Sequence, residues 1–230
     1  MVLSQRLLKI AQMVEYKTLA DIGTDHAKLP VYLIEREICN TVIASDVADG
    51  PVNACKKTVS QCGMESCVQV RKGDGLATIS PGEVETVVIA GMGGDLMTEI
   101  LKAGYEVANS AKEMILQPMT HIPQFRKFLK DNDYQIIDEL LVKERDKIYT
   151  IIKVKPGKNQ YITDFDFIVS PLLVEKKDKL LSEYIIKLIN KYNNEIRGLK
   201  KAAELNSSQL NLNNDIVKKL ECLYEIAKNH

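Results

Sequence analysis

Short apolar runs alternate with helical patterns through the first 155 residues of this chain, and this alternation constrains the fold more than any other feature. Five of the runs are apolar at nearly every position, as strands buried on both faces of a parallel sheet are. These runs span residues 18–22, 41–45, 68–70, 86–90 and 114–116. The alternation therefore predicts an α/β domain built on five parallel strands.

Helical patterns fill most of the gaps around these runs. They cover residues 3–15, 29–36, 51–62, 96–102 and 122–129. Ser4 precedes the first pattern, and the third has Pro51 at its first helical position and Gly63 as its stop signal. Only the link at residues 76–80 is too short for a full crossover helix. We therefore expect a doubly wound sheet with helices on both faces.

Two further strand-like segments, residues 134–142 and 148–154, are joined by the charged turn KERDK. They predict a hairpin that closes the sheet with an antiparallel edge. Residues 1–157 are therefore predicted to form one α/β domain with a mostly parallel, seven-stranded sheet.

After Pro156 and Gly157 the sequence becomes long, charged and helical. Apolar residues recur at helical spacing in two stripes, separated by the polar break Asn206-Ser207-Ser208. The stripes are Leu181, Tyr184, Ile185, Leu188 and Tyr192, then Ile216, Val217, Leu220, Leu223, Tyr224 and Ala227. Residues 158–230 therefore predict a second domain, an antiparallel and coiled-coil-like α-helical hairpin.

Composition narrows the classes of function. The chain has 31 basic and 31 acidic residues, so any nucleic-acid site must be a local patch. Its five cysteines form no C-x-x-C pair and it has only three histidines, which argues against a zinc site and a disulfide framework. No run of about 18 uncharged apolar residues and no secretory signal pattern is present. We expect a cytoplasmic protein without metal or membrane partner, and a monomer by default.

Acidic residues and glycines follow the predicted parallel strands, where ligands bind in open α/β sheets. Gly23 follows the first strand, Asp46 ends the second, Asp74-Gly75 follows the third and Gly91 the fourth. Each alone is also typical of a turn or helix cap. Together they favour an adenosine-containing ligand, because glycine allows close backbone approach and carboxylates accept from ribose hydroxyls and amines. Little or no phosphate is expected, since the G-x-G-x-x-G cradle is missing.

Six motifs occur in a fixed order along the chain. They are LSQRL, ADIGTDHAKLP, the strand end at Asp46 followed by DGP, VRKGDGL, IAGMGG and LQPMTH. In these motifs the chain resembles class I S-adenosylmethionine-dependent methyltransferases, and within them the TrmK family of bacterial tRNA adenine-N1 methyltransferases that modify position 22. The resemblance runs along nearly the whole chain. Asp25 and Ala27 replace the later glycines of the general D-x-G-x-G-x-G turn, a departure that is itself a feature of the TrmK family.

The resemblance implies a Rossmann-like methyltransferase fold, S-adenosylmethionine as the cofactor and tRNA as the partner. It puts Gly23 and Asp25 at the methionine end of the cofactor and Asp46 at its ribose. It puts Asp74-Gly75 at the adenine and Gly91 beside the methyl-bearing sulfur. Enzymes that methylate an exocyclic amine hold it with an Asn or Asp that is followed by Pro-Pro and an aromatic residue after strand four. IAGMGG lacks that sequence, so methylation of a ring nitrogen fits better.

Adenine N1 carries an in-plane lone pair and can attack the methyl group directly. The enzyme then chiefly supplies alignment, which is worth about 7–11 kcal/mol in favourable systems. Methylation leaves the ring positively charged, so Asp25 is the expected catalytic residue, as electrostatic stabiliser or acceptor from N6. His26 either orients Asp25, donates to the RNA backbone or only packs and caps there. We expect His121 to be a surface cap and the C-terminal hairpin to grip tRNA.

Three other functions compete with this interpretation. A methyltransferase of this class can instead act on a protein side chain or a small amine, since the sequence shows no tRNA contact directly. A non-catalytic scaffold would bind the cofactor and use the helical hairpin as a docking arm. An NAD-dependent dehydrogenase is disfavoured because Asp25 and Ala27 break the glycine spacing that holds a pyrophosphate.

Overall fold

The computed structural model describes residues 1–158, 163–201 and 206–228. The chain divides into two compact units, Met1–Ile162 and Thr163–His230. The first is an α/β unit, and the described elements of the second are all helices. The predicted fold class is confirmed, with a mostly parallel seven-stranded sheet, an antiparallel edge and a C-terminal helical pair.

All seven predicted strands form one sheet. They are β1 Thr18–Ile22, β2 Thr41–Asp46, β3 Val68–Lys72, β4 Thr86–Met92, β5 Glu113–Pro118, β6 Tyr134–Glu144 and β7 Lys147–Pro156. The strand order is β3-β2-β1-β4-β5-β7-β6. Strands β1 to β5 are parallel, whereas β7 pairs antiparallel with both β5 and β6. The order reverses between β1 and β4, so the carboxyl ends of these two strands flank the switch point at which ligands bind in such sheets.

The described residues of the first unit, 1–158, contain six α-helices. They are α1 Gln5–Met13, α2 Lys28–Glu35, α3 Asp49–Gln61, α4 Gly94–Ala103, α5 Tyr105–Ser110 and α6 Ile122–Asp131. Ser4 caps α1 as expected, because its side chain accepts from the backbone N–H of Leu7. Gly63 follows α3 with a φ of +65°, the left-handed conformation that ends many helices. The short link after β3 contains a single 3₁₀ turn, Gly75–Thr78.

Three predicted helix starts, those of α1, α3 and α4, are wrong by two residues, and α5 was not predicted. Helix α1 begins at Gln5 rather than at residue 3, because Ser4 is its N-cap. Helix α3 begins at Asp49, so Pro51 is its third residue; proline fits there because first-turn N–H groups have no intrahelical partner. Helix α4 begins at Gly94 rather than Leu96, since the Gly94 N–H already donates to the carbonyl of Thr120 at 3.1 Å. The start of α4 thus depends on a contact between loops that local pattern does not reveal.

Helices α1 and α2 pack on one face of the sheet. Ile10 and Leu33 are fully buried in one cluster with Leu19 of β1, Val88 of β4 and Ile115 of β5. Burying each such side chain stabilises the fold by about 1.5–3 kcal/mol. The close-packed core makes the strands a rigid platform, so the loops at their carboxyl ends start from fixed positions.

A buried group of charges lies at the amino edge of the sheet, which we call the amino-edge cluster. The Lys153 Nζ lies 2.6 Å from Glu113 Oε2 and 2.7 Å from Glu15 Oε1, and it donates to the carbonyl of Met13 at 2.9 Å. The Thr86 hydroxyl donates to Glu113 Oε1 at 2.9 Å. Burial lowers the pKa of Lys153, but its hydrogen bonds to the two glutamates outweigh that effect and raise the pKa overall. The cluster therefore ties the end of α1 to β4, β5 and β7.

The second unit contains α7 Phe165–Ile168, α8 Pro171–Glu175, α9 Leu181–Lys201 and α10 Ser207–Ala227. Helix α10 begins inside the predicted break, with Asn206 accepting from the N–H of Gln209 at 3.0 Å. Asn213 is buried between α9 and α10, where its side chain accepts from Gln209 and donates to Glu195. A buried, hydrogen-bonded Asn of this kind fixes the register of paired helices.

All five cysteines are free. The thiols of Cys39 and Cys55 are buried, each donates to a backbone carbonyl 3.6 Å away, and burial raises the pKa of each to about 11. Cys62 and Cys222 are exposed, one in each unit. Within the described residues, no helix has the length and apolar character needed to cross a membrane, and no three His, Cys, Asp or Glu side chains are grouped to hold a metal ion.

Candidate active site

The turn after β1 has an unusual backbone. Gly23 has a φ of +73°, a conformation that favours glycine, and a Cβ added there would lie 2.0 Å from the Cε of Met92, which would have to move. The Gly23 N–H donates to the carbonyl of Ser45 at 2.8 Å, which locks the turn onto the end of β2. His26 and Ala27 follow with φ values of +61° and +50°. Two consecutive left-handed residues other than glycine store strain, a feature that is concentrated at functional sites.

Asp21 lies at the base of this turn and is buried. Burial is the largest influence on its pKa, which rises to about 6; a hydrogen bond with Thr24 lowers it and the negative charge of Asp46 raises it further. A pKa raised this far means that the negative charge of Asp21 has few favourable partners in the folded protein. A cationic group placed beside Asp21 would stabilise its charged form.

Asp25 has a very different environment, because 77% of its side chain is exposed. Its Oδ1 lies 3.3 Å from the Nε2 of His26, which is also largely exposed. The contact is the one that an orienting role of His26 would require, which is one of its three expected roles, and the exposure of both groups leaves the pair free to move. Asp25 therefore projects from the carboxyl edge towards solvent, where an incoming molecule can reach it.

A cavity of about 320 Å³ lies against this turn. It is lined by residues of α1, the β1 turn, α2 and the β6–β7 turn. They are Val2, Ser4, Arg6, Leu7, Asp21, Gly23, Thr24, Asp25, Lys28, Leu29, Ala90 and Glu144. The cavity thus brings basic groups, Arg6 and Lys28, together with the acidic groups of Asp21 and Asp25. Such a mixture suits a ligand that carries both an ammonium and a carboxylate group.

A second cavity, of about 660 Å³, lies between the 3₁₀ turn, α4 and α5. Asp74 and Gly75 line it together with the apolar side chains of Leu96 and Ile100. Gly75 has a φ of +50°, and an added Cβ would lie 3.1 Å from Ile100. A carboxylate beside apolar side chains is suited to a flat heterocycle with an exocyclic amine.

Asp46 lies between these two regions at the end of β2 and lines neither cavity. Its Oδ1 accepts from the backbone N–H of Ala48 at 2.9 Å. The interpretation of Asp46 as a side-chain cap of α3 does not hold, because Ala48 is the N-cap and has no side-chain cap. Val47, the next residue, is 60% exposed and so presents an apolar surface beside Asp46.

Gly91 interrupts the pairing of β4 with β5. Ala90 pairs with Gln117 and Met92 with Pro118, so Gly91 is the extra residue of a β-bulge. Its φ is +81°, and its N–H donates to Oε1 of Gln117 at 3.2 Å. The bulge turns the backbone of Gly91 out of the sheet at the switch point.

The loops after β4 and β5 remain connected beyond this bulge. The Met119 N–H donates to the carbonyl of Met92 at 2.8 Å, and Asp95 Oδ2 lies 2.6 Å from His121 Nδ1. His121 is the N-cap residue of α6, but its side chain makes no cap hydrogen bond. The expectation that His121 is a cap is therefore wrong for the side chain, which bridges to the first turn of α4 instead.

The predicted site residues therefore fall into three groups along the carboxyl edge. Gly23 and Asp25 share the smaller cavity, Asp74-Gly75 lines the larger one, and Asp46 and Gly91 lie outside both. The sequence also contained residues of the site that were not predicted. Arg6, Asp21 and Leu96 are among them, because each lines one of the two cavities. For Asp21 the available signal was a charge inside an apolar strand.

Comparisons with known proteins agree on one class. A family model described as a methyltransferase domain matches residues 3–152. The tRNA (adenine(22)-N(1))-methyltransferase of Bacillus subtilis is 35% identical over 182 residues, which cover 76% of each chain. The crystal structure of the B. subtilis m1A22 tRNA methyltransferase TrmK superposes with a TM-score of 0.82 at 30% identity, covering 99% of this chain and 98% of that one. A Streptococcus pneumoniae protein in complex with S-adenosyl-L-methionine superposes with a TM-score of 0.83 at 29% identity, covering 97% of this chain and 100% of that one.

Proposed function

This chain belongs to the TrmK family of S-adenosylmethionine-dependent methyltransferases, and from that membership we propose that it transfers a methyl group from S-adenosylmethionine to N1 of adenine 22 in tRNA. The observation that carries the proposal is the 35% identity to a tRNA (adenine(22)-N(1))-methyltransferase over three quarters of both chains. The geometry of the carboxyl edge is consistent with it.

The residues at the carboxyl edge fit the cofactor. Asp21 and Lys28 would hold the ammonium and carboxylate groups of its methionine end, since the two residues line one cavity with opposite charges. The backbone of Gly23 lies beside that cavity without a side chain in the way. Asp46 would accept from the ribose hydroxyls, and Asp74 from the adenine amine. When bound, the cofactor supplies an electrophilic methyl group on a positively charged sulfur.

The protein itself would contribute alignment and charge to the transfer. Asp25 is exposed at the rim of the smaller cavity, so its carboxylate can lie beside the adenine ring as N1 gains its methyl group. A negative charge at that point stabilises the positive charge that develops on the ring. The base must leave its pairing partner to reach the crevice, which costs a few kcal/mol that binding elsewhere must offset.

The second unit is the proposed tRNA-recognition domain. Residues 158–230 carry twelve Lys or Arg and ten Asp or Glu, so any phosphate contact depends on local lysines rather than on net charge. Lys200 and Lys201 lie exposed in the last turn of α9. Replacing both with Glu should weaken tRNA binding, reduce its salt dependence and leave cofactor affinity unchanged. Deleting residues 160–230 should likewise spare cofactor binding and abolish tRNA methylation; full activity of the shortened chain would contradict this assignment.

The deciding experiment measures methyl transfer from labelled S-adenosylmethionine to transcribed tRNAs that carry adenine or guanine at position 22. Transfer to the adenine tRNA alone is the expected result. The Asp25→Ala variant should lose most of the transfer rate. Asp131→Asn is the matched control, because Asp131 is an exposed aspartate paired with Lys127 at the end of α6, away from the carboxyl edge. Transfer to neither tRNA, or to protein fractions instead, would overturn the proposal.

A further inference from the structure

The side-chain amide of Gln117 is buried at the carboxyl end of β5 and uses every polar atom. Its Oε1 accepts from the Gly91 N–H at 3.2 Å and from Arg6 Nη1. Its Nε2 donates to the carbonyl of Pro118 at 3.0 Å and contacts Sδ of Met119 at 3.4 Å. Buried amides with all contacts satisfied hold a single orientation, since a rotated amide would leave donors facing donors.

The Gln117 amide forms a hydrogen bond with the residue that the β-bulge leaves unpaired. Gly91 has no residue opposite it on β5, so its N–H has no backbone partner in the ladder. Gly91 itself is exposed, so the gain from a protein acceptor is a fixed conformation rather than relief of a buried donor. Gln117 reaches across and accepts from that N–H, so the φ of +81° at Gly91 persists in one conformation.

Arg6 fixes the orientation of the amide from the opposite side. Its guanidinium donates through Nη1 to the same Oε1 that accepts from Gly91, and its Nε lies 3.7 Å from Glu144 Oε2. The guanidinium also lies over the ring of Tyr149, 5.6 Å from its centroid. Hydrogen bonds from a charged donor are stronger than neutral ones, and the planar guanidinium tolerates little rotation once it is held at two points.

We propose that Arg6 and Gln117 are positioning residues for methyl transfer, which hold the Gly91 bulge at the switch point while touching neither the reacting methyl group nor the base. The inference rests on the proposed function. It assigns a task to the N-terminal helix α1, which reaches the carboxyl edge through Arg6 and the amino-edge cluster through Met13. Gln117 and Arg6 are 111 residues apart in sequence, so folding must bring them together.

The test compares Arg6→Ala and Arg6→Lys with Arg36→Ala as the matched control. Arg36 also lies over an aromatic ring, that of Tyr32 at 5.5 Å, but at the far end of α2. Loss of the Arg6 guanidinium should lower kcat for tRNA methylation about 10- to 100-fold, because small misplacements of reacting groups have effects of that size. The KM for tRNA should stay close to wild type, whereas a lower affinity for S-adenosylmethionine would follow from the place of Arg6 in the lining of the smaller cavity.

Chemical rescue distinguishes a positioning role of Arg6 from a role in protein stability alone. Millimolar ethylguanidinium should restore part of the kcat of Arg6→Ala and leave Arg36→Ala unchanged. A readout without substrate is amide hydrogen exchange at Gly91, which should speed up in Arg6→Ala and in Gln117→Met. Wild-type kcat in Arg6→Ala, or unchanged Gly91 exchange in both variants, would refute the proposal. Absence of tRNA methylation by the wild-type protein would refute the proposed function, and the Gly91 exchange would still decide the role of Arg6.

Discussion

The charged side chains at the two edges of the central sheet differ in burial and pairing. At the amino edge, Lys153 and Glu113 are almost fully buried and every charge faces a partner within 3 Å. At the carboxyl edge, Asp25 and His26 are exposed and the backbone of Gly23 and Gly91 has positive φ. The same strands carry both edges, so the fold pairs its buried charges at one end and leaves the exposed Asp25 and His26 at the other. Stability and binding should therefore respond separately to substitutions at the two ends.

The largest expected effect is at the amino edge. Lys153→Met leaves Glu113 buried without its cation, which should reduce the free energy of unfolding by about 3–5 kcal/mol. Urea denaturation at pH 7 measures this loss. The stabilisation should vanish in the wild type as the pH rises above 10.5, because the raised pKa of Lys153 means that folding favours its protonated form.

A second substitution tests whether the lost pairing is the cause. Adding Glu113→Gln to Lys153→Met removes the uncompensated charge and should recover part of the stability. Cofactor affinity should stay near wild type in both variants wherever they are folded. A loss below about 1 kcal/mol in the single variant, typical of exposed ion pairs, would contradict the assignment of the amino-edge cluster as a stability element.

The next effect has the opposite sign and lies at the carboxyl edge. Burial raises the pKa of Asp21 to about 6, so folding favours its protonated form and the wild type loses stability as the pH rises from 3.8 to about 6. Asp21→Asn escapes this loss and should be more stable than the wild type above pH 6 by about 3 kcal/mol. The two proteins should converge near pH 4. Denaturant titrations across this range check the trend, and calorimetry should show weakened cofactor binding.

A smaller effect is expected from Gly23→Ala. A side chain in the left-handed conformation costs about 1–2 kcal/mol, and the new Cβ also forces Met92 to move. Gly63→Ala is the matched control, because its φ of +65° is similar and an added Cβ has no neighbour within 4 Å. Both variants should lose stability, but only Gly23→Ala should lose cofactor affinity. Equal cofactor affinities in the two variants would show that Met92 moves without affecting cofactor binding.

The smallest effect concerns Asp95 and His121. Both side chains are more than half exposed, so their contact should be worth only about 0.2–1 kcal/mol in a double-mutant cycle. The cycle sharpens the comparison between edges, since the distance of 2.6 Å equals that of the buried Lys153–Glu113 pair. A coupling energy as large as that of the buried pair would show that distance, rather than burial, determines the strength of an ion pair.

The strands were predictable from sequence because a strand buried on both faces needs a continuous apolar run. All five parallel strands and both hairpin strands were located within a few residues. Helix α5 was missed because it is only six residues long and lacks an apolar stripe. The start of α4 was misplaced because Gly94 is held by the carbonyl of Thr120, a contact between loops.

The position of Asp46 and Gly91 at the carboxyl edge was predictable because they belong to the last residues of strands β2 and β4. Arg6 lies elsewhere in sequence and reaches the carboxyl edge only through tertiary contact with Gln117. The raised pKa of Asp21 likewise depends on burial and on the neighbouring charge of Asp46, neither of which a local pattern reports. The roles of Gly23, Asp25, Asp46, Asp74, Gly75 and Gly91 stay predictions until the binding and transfer experiments are made.

The cysteine thiols differ in exposure, which allows selective labelling of the protein. Thiolates, not thiols, react with maleimides, so the raised pKa and burial of Cys39 and Cys55 protect them from labelling. Cys62 and Cys222 are exposed and belong to different units. With Cys67 replaced by Ser, a donor and acceptor dye pair attached to those two positions would report by energy transfer whether the units change their separation when tRNA is added.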